Sequence, residues 1–126
     1  MNKHIFLLFF SLSVTGQVKW MSLNEALAAQ QKAPKKILMD VYTNWCGPCK
    51  LLDKNTFGNP DVSAFINENY YAVKFNAEGN QTLNYLGNVF TNPNYNPNRS
   101  GRNARHQFTA YLGITGYPTV VFLDEQ

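Results

Sequence analysis

Cys46 and Cys49 are the only cysteines in a chain of 126 residues, and only Gly47 and Pro48 stand between them. Two thiols at this spacing support two kinds of chemistry. As thiolates they can ligate a metal, and as a dithiol they can exchange with a disulfide through a mixed-disulfide intermediate. A zinc site needs two further ligands. The chain offers no other cysteine and only His4 and His106, so no metal is expected. A purely structural disulfide is the remaining alternative, but a bridge over two residues closes almost no loop and stabilises little.

The elements around the pair favour exchange. The apolar run 37–42 precedes it and the helix-compatible run 50–54 follows it. A C-x-x-C on such a strand-to-helix turn reads as a redox motif. Cys46 then falls at a helix N-terminus, where free N–H groups and the macrodipole favour thiolate over thiol. Cys46 is expected to be the more exposed and more acidic of the two. Gly47 allows close approach of backbone, and Pro48 suits a first helical turn. Asp40, inside the apolar strand, is the anomaly: a buried carboxylate is costly unless it is paired or protonated.

Elsewhere the pattern alternates helix and strand. Ser22 and Glu25 have capping-box spacing, which predicts a helix over 22–32. Asn59-Pro60-Asp61 starts another, with Val62, Phe65 and Ile66 directed to the core, and a strand over 70–75 follows. Leu83, Leu86, Val89 and Phe90 have helical spacing and predict a short helix. Residues 91–103 carry Asn, Pro and Gly at loop density. Arg99, Arg102 and Arg105 are either a basic patch for an acidic partner or scattered solvated charge. Ala104, Phe108, Tyr111 and Leu112 predict a helix ending near Gly113, and 119–123 reads as a strand.

The segment Trp45-Cys46-Gly47-Pro48-Cys49-Lys50 resembles the active-site signature of the thioredoxin family. Asp40 resembles the family's buried aspartate, and Gly116-Tyr117-Pro118-Thr119 resembles its cis-proline loop. The stretch 53–62 is more similar to exported thioredoxin-like domains, such as the C-terminal domain of the disulfide interchange reductase DsbD, than to cytoplasmic thioredoxin. The resemblance spans 20–123, apart from an insertion over 77–105. It implies an α/β thioredoxin fold, a central mixed sheet with helices on both faces. In the family a further strand and a C-terminal helix would follow Gln126, so a truncated fold, and a fragment, is expected.

The resemblance also implies roles. Cys46 attacks a substrate disulfide and Cys49 resolves the mixed disulfide. Asp40 lies beneath Cys49 and relays its proton, with Lys74 beside it. Trp45 shields the active-site face, and a cis Pro118 holds Tyr117 for pairing with a substrate segment. No cofactor beyond the Cys46–Cys49 disulfide is implied. The expected function is reduction of disulfides in exported proteins, fed by a membrane thiol–disulfide reductase. Oxidase or isomerase activity and a non-catalytic binding module are the rival readings.

Composition sets the remaining bounds. The length suits one domain, 17–126, with one core. A net charge of +3 is no nucleic-acid footprint, and a monomer is expected. Lys3 and the apolar run 5–14, closed by small residues up to Gly16, match a secretory signal peptide over 1–16. An uncleaved interfacial anchor is the alternative. Export would place the chain in the periplasm or outside the cell, where disulfides persist.

Overall fold

The computed structural model describes residues 4–5 and 16–125, so residues 6–15 of the expected signal segment lie outside the described residues. The elements run β1 (Trp20–Met21), α1 (Leu23–Lys32), β2 (Lys36–Tyr42), α2 (Gly47–Asn55), α3 (Pro60–Asn69), β3 (Tyr70–Asn76), β4 (Leu83–Tyr85), β5 (Asn88–Phe90), α4 (Gln107–Tyr111) and β6 (Thr119–Leu123). Local chemistry sets several boundaries. Ser22 and Glu25 close the predicted capping box on α1. The Asn59 side chain caps α3 through the N–H groups of Asp61 and Val62. Gly113, at φ 69°, takes the left-handed turn after α4.

The main sheet has the order β1-β3-β2-β6. β2 runs parallel to β3 and antiparallel to β6, so the sheet is mixed as expected. This topology gathers three connections at one end. The C-terminal end of β2 leads to the cysteines. β3, parallel to it, delivers the 77–105 segment there. β6, antiparallel, begins there, directly after Tyr117 and Pro118, with Thr119 opposite Val41.

Strand alternation divides the core between the two faces of the sheet. Ile37, Met39, Val41, Val73 and Phe75 pack with Leu23 and Ala26 of α1 and with Phe108. Leu38 and Ala72 face the other way, towards Phe57 and Ile66. Asp40 and Lys74 share the parity of Leu38 and Ala72, so both belong to this second face.

Three local expectations are corrected. Leu83, Leu86, Val89 and Phe90 do not form a helix; they lie in the β4–β5 hairpin. Its two-residue turn has Leu86 at φ 50° and Gly87 at φ 78°, the mirror-image geometry that matches strand twist. Phe65 does not face the core: it is 60% exposed, and Ser63 is buried in its place, its hydroxyl donating to the Phe57 carbonyl. The small polar side chain lets α3 approach the sheet. The predicted helix at Ala104 begins only at Gln107, with the buried His106 as its cap. β6 borders the sheet among the described residues, with Phe122 58% exposed and its ring against Tyr70.

Candidate active site

The cysteines sit where β2 gives way to α2. Cys46 is the helix N-cap, and its Sγ accepts a hydrogen bond from the Cys49 backbone N–H at 3.1 Å. The two are joined as a disulfide with Cα atoms 5.3 Å apart. Both are 3% exposed in this oxidised form, so the expected greater exposure of Cys46 is not observed. A disulfide bridge holds each sulfur over the other and covers both. Gly47 and Pro48, by contrast, are exposed. Among the described residues nothing outside its own helix would meet a Cβ at Gly47 within 4 Å, so the close approach expected there is not made by them.

Asp40 is fully buried on β2, and Lys74, its register partner on β3, places Nζ 2.7 Å from Asp40 Oδ2. The same ammonium lies 2.5 Å from Asp53 Oδ1 on α2. It also lies 5.0 Å from the Trp20 ring centroid and 4.9 Å from that of Tyr42. Lys74 is therefore held between two carboxylates and two aromatic faces rather than left in water. Asp53 is four residues beyond Cys49, so the two project from the same face of α2. The Asp53–Lys74–Asp40 chain ties α2 to the buried carboxyl on β2.

Electrostatics of this buried set follow from its geometry. Burial raises the Asp40 pKa; the hydrogen bond and charge of Lys74 oppose the rise without cancelling it, and the Asp53 charge adds to it. Burial works against the charge of Lys74, but its bonds to Asp40 and Asp53 outweigh this and hold its pKa above the ordinary lysine value. Asp40 Oδ1 has no hydrogen-bond partner among the described residues. A carboxyl with one free oxygen and a raised pKa is equipped to take up and give back a proton.

On the other side of the cysteines, Trp45 is 39% exposed. Its ring packs edge-on against Tyr117, with centroids 6.0 Å apart. The Tyr117–Pro118 peptide is cis, so the resemblance and the geometry agree there. The Tyr117 hydroxyl has a raised pKa, from burial first and the Glu78 charge second, with Arg105 opposing. Trp45 Nε1 donates to Glu78 Oε1 at 2.9 Å, and the Arg102 guanidinium lies 4.6 Å from the Trp45 ring centroid.

The structure thus brings Cys46, Cys49, Asp40, Lys74, Trp45, Gly47, Pro48, Tyr117 and Pro118 to one end of the sheet. It adds Asp53, Glu78 and Trp20, which the sequence reading did not single out. Asp53 had a usable signal in its i+4 spacing from Cys49. Glu78 had none, because its contact with Trp45 spans 33 residues through the sheet. Among the described residues no cluster of His, Cys, Asp and Glu could hold a metal, and no helix is long and apolar enough to cross a membrane. A dithiol–disulfide pair at a helix N-terminus, with a buried carboxyl on the strand that leads to it, is chemically competent for thiol–disulfide exchange.

Comparison with known proteins agrees with this geometry. A family model described as a thioredoxin-like domain matches residues 23–126. The thiol:disulfide interchange protein DsbD of Pectobacterium atrosepticum is 30% identical over 105 residues, covering 82% of this chain and 14% of that protein. DsbD of Escherichia coli K12 is 26% identical over 104 residues, again covering 82% and 14%. The chain therefore spans about one seventh of the length of these relatives. Among solved structures, a DsbH oxidoreductase aligns with a TM-score of 0.61 at 16% identity, over 99% of this chain and 76% of that one. A Thermus thermophilus thioredoxin aligns with a TM-score of 0.58 at 16% identity, over 84% and 64%. These two likenesses concern the fold.

Proposed function

The chain belongs to the thioredoxin-like family, and from that premise we propose that it is a protein-disulfide reductase acting on exported proteins. The observation that carries this reading is the Cys46 Sγ at the N-cap of α2, accepting the Cys49 N–H. In the reduced protein the same N–H and the helix dipole favour the Cys46 thiolate. That thiolate attacks one sulfur of a substrate cystine; the Cys46–substrate bond forms and the other substrate sulfur leaves as a thiolate. Cys49 then loses its proton to Asp40, attacks Cys46 Sγ and releases the second substrate thiol. The protein ends as the Cys46–Cys49 disulfide, two electrons poorer. Lys74 and Asp53 position Asp40 beneath Cys49. Tyr117 and Pro118 border the groove in which a substrate segment pairs as an added strand.

The direction of exchange follows from what stabilises the thiolate. Gly47 and Pro48 carry no side-chain donor for Cys46, and the one hydrogen bond to its sulfur among the described residues comes from the backbone. A modestly stabilised thiolate means a modestly stabilised dithiol and a low potential. A reductase in an oxidising compartment must be reloaded, and the likeness to DsbD supports a membrane thiol–disulfide reductase as donor. No cofactor is required, and the chain acts as a monomer.

Equilibration with glutathione buffers, read by Trp45 fluorescence, measures the potential. The expected value lies near that of thioredoxin, about −270 mV, and far from that of a strong oxidant such as DsbA, about −120 mV. A potential above about −180 mV, the range of protein disulfide isomerase, overturns the reductase reading in favour of an oxidase or isomerase. Failure to exchange with any disulfide leaves a binding module on the same fold.

A further inference from the structure

The loop 91–105 is folded against the redox centre rather than away from it. The Arg102 guanidinium lies over the Trp45 ring, one residue before Cys46. Glu78 Oε1 accepts hydrogen bonds from both Trp45 Nε1, at 2.9 Å, and the Asn103 backbone N–H, at 2.8 Å, which ties loop and ring together. The loop itself is braced: the buried Asn92 amide donates to the Gly79 and Ala104 carbonyls, and Asn103 donates to the Asn96 carbonyl. Between the loop and the active-site segment lies a polar cavity of about 150 Å³, whose walls include Asn44, Glu78, Tyr95, Arg99 and Asn103.

The charges around this cavity are unbalanced. Arg99 and Arg102 are exposed, and neither guanidinium is in an ion pair among the described residues. Lys50, just past Cys49, is also exposed. Arg105, the third loop arginine, is exposed as well; its guanidinium donates to the Ile114 carbonyl and its charge acts on Tyr117. Glu78 is the one acid lining the cavity, and one of its oxygens is already held by two donors.

We propose that this loop is a specificity element, in which Arg99 and Arg102 select substrate chains bearing acidic residues beside the reactive cystine. The proposal deepens the exchange reading and rests on it. A substrate segment lying along Tyr117 and Cys46 has Trp45 as its floor, and side chains flanking its cysteine reach the arginines. Charges on such a rim act mainly by steering encounter and suppressing like-charged partners, and salt screens them.

The test uses labelled peptides of one sequence with acidic, neutral or basic flanks, in cystine form and with serine in place of cysteine. Fluorescence anisotropy of the serine peptides reads recognition without chemistry. The acidic peptide is expected to bind about fivefold more tightly than the basic one at low salt, a preference that shrinks at high salt and falls close to unity in the double variant Arg99→Ser/Arg102→Ser. Equal affinities in the wild-type protein, or a preference unchanged in the double variant, overturn the proposal. Reduction of the neutral cystine peptide checks the exchange reading separately. If charge preference holds but that peptide is never reduced, the recognition surface stands and the exchange reading falls.

Discussion

Asp40 concentrates the chemistry of this domain in one residue. Its carboxyl has no exposure, one oxygen on Lys74 and one oxygen without a hydrogen-bond partner among the described residues. Because burial leaves its pKa higher in the folded chain than in the unfolded one, the native state holds the proton longer. Stability is therefore favoured below the unfolded value, about pH 4, and declines as the pH rises through the folded pKa. Asp40→Asn removes that decline. Urea unfolding of the oxidised variant should match the wild type near pH 3 and exceed it by on the order of 1 kcal/mol near pH 8. An equal difference at both pH values would show that Asp40 is not buried as an acid. The same variant should resolve mixed disulfides more slowly, and an unchanged single-turnover rate across neutral pH removes the proton-relay role. Asp40 was legible in the sequence because a charge in an apolar strand demands an explanation. Lys74 was only half legible: the resemblance sets it beside Asp40, but strand alternation could equally put it in water, and nothing local says that Trp20, Tyr42 and Asp53 close over it.

The secondary elements were most legible where side chains act on their own backbone. The Ser22–Glu25 box, the Asn59 cap and the Gly113 stop are short-range chemistry, and all three stand in the structure. The β4–β5 hairpin was misread because four apolar residues matched a helical period while Leu86-Gly87 carried the turn signal. The placement of loop 91–105 was not legible at all, since Glu78, Asn92 and Arg102 act on residues distant in the sequence. The hairpin gives its own test. Gly87 sits at φ 78° with open space around it, so Gly87→Ala incurs backbone strain alone. A loss of about 1 kcal/mol is expected from the shift in denaturant midpoint. Leu86→Asn, which tolerates the left-handed region better, should stabilise by a few tenths of a kcal/mol. A neutral Gly87→Ala would show that the turn does not hold this geometry in solution.

At the scale of the whole molecule, β2, β3 and β6 converge at one end of the sheet, and function follows from what each delivers there. β2 leads to the cysteines, β3 to the loop that grips Trp45, and β6 follows the Tyr117–Pro118 turn. The export reading rests on the sequence, and mass spectrometry tests it. Protein recovered from a Gram-negative host should carry a mature N-terminus near Gln17, whereas an intact Met1 on cytoplasmic material contradicts export. The central claim is the order of attack, with Cys46 first and Cys49 resolving. Reduced Cys49→Ser and Cys46→Ser variants, each mixed with a cystine-containing protein and resolved by mass spectrometry, test it directly. Cys49→Ser should accumulate a covalent adduct through Cys46, while Cys46→Ser should trap almost none. Equal trapping by the two variants, or none by either, would contradict it.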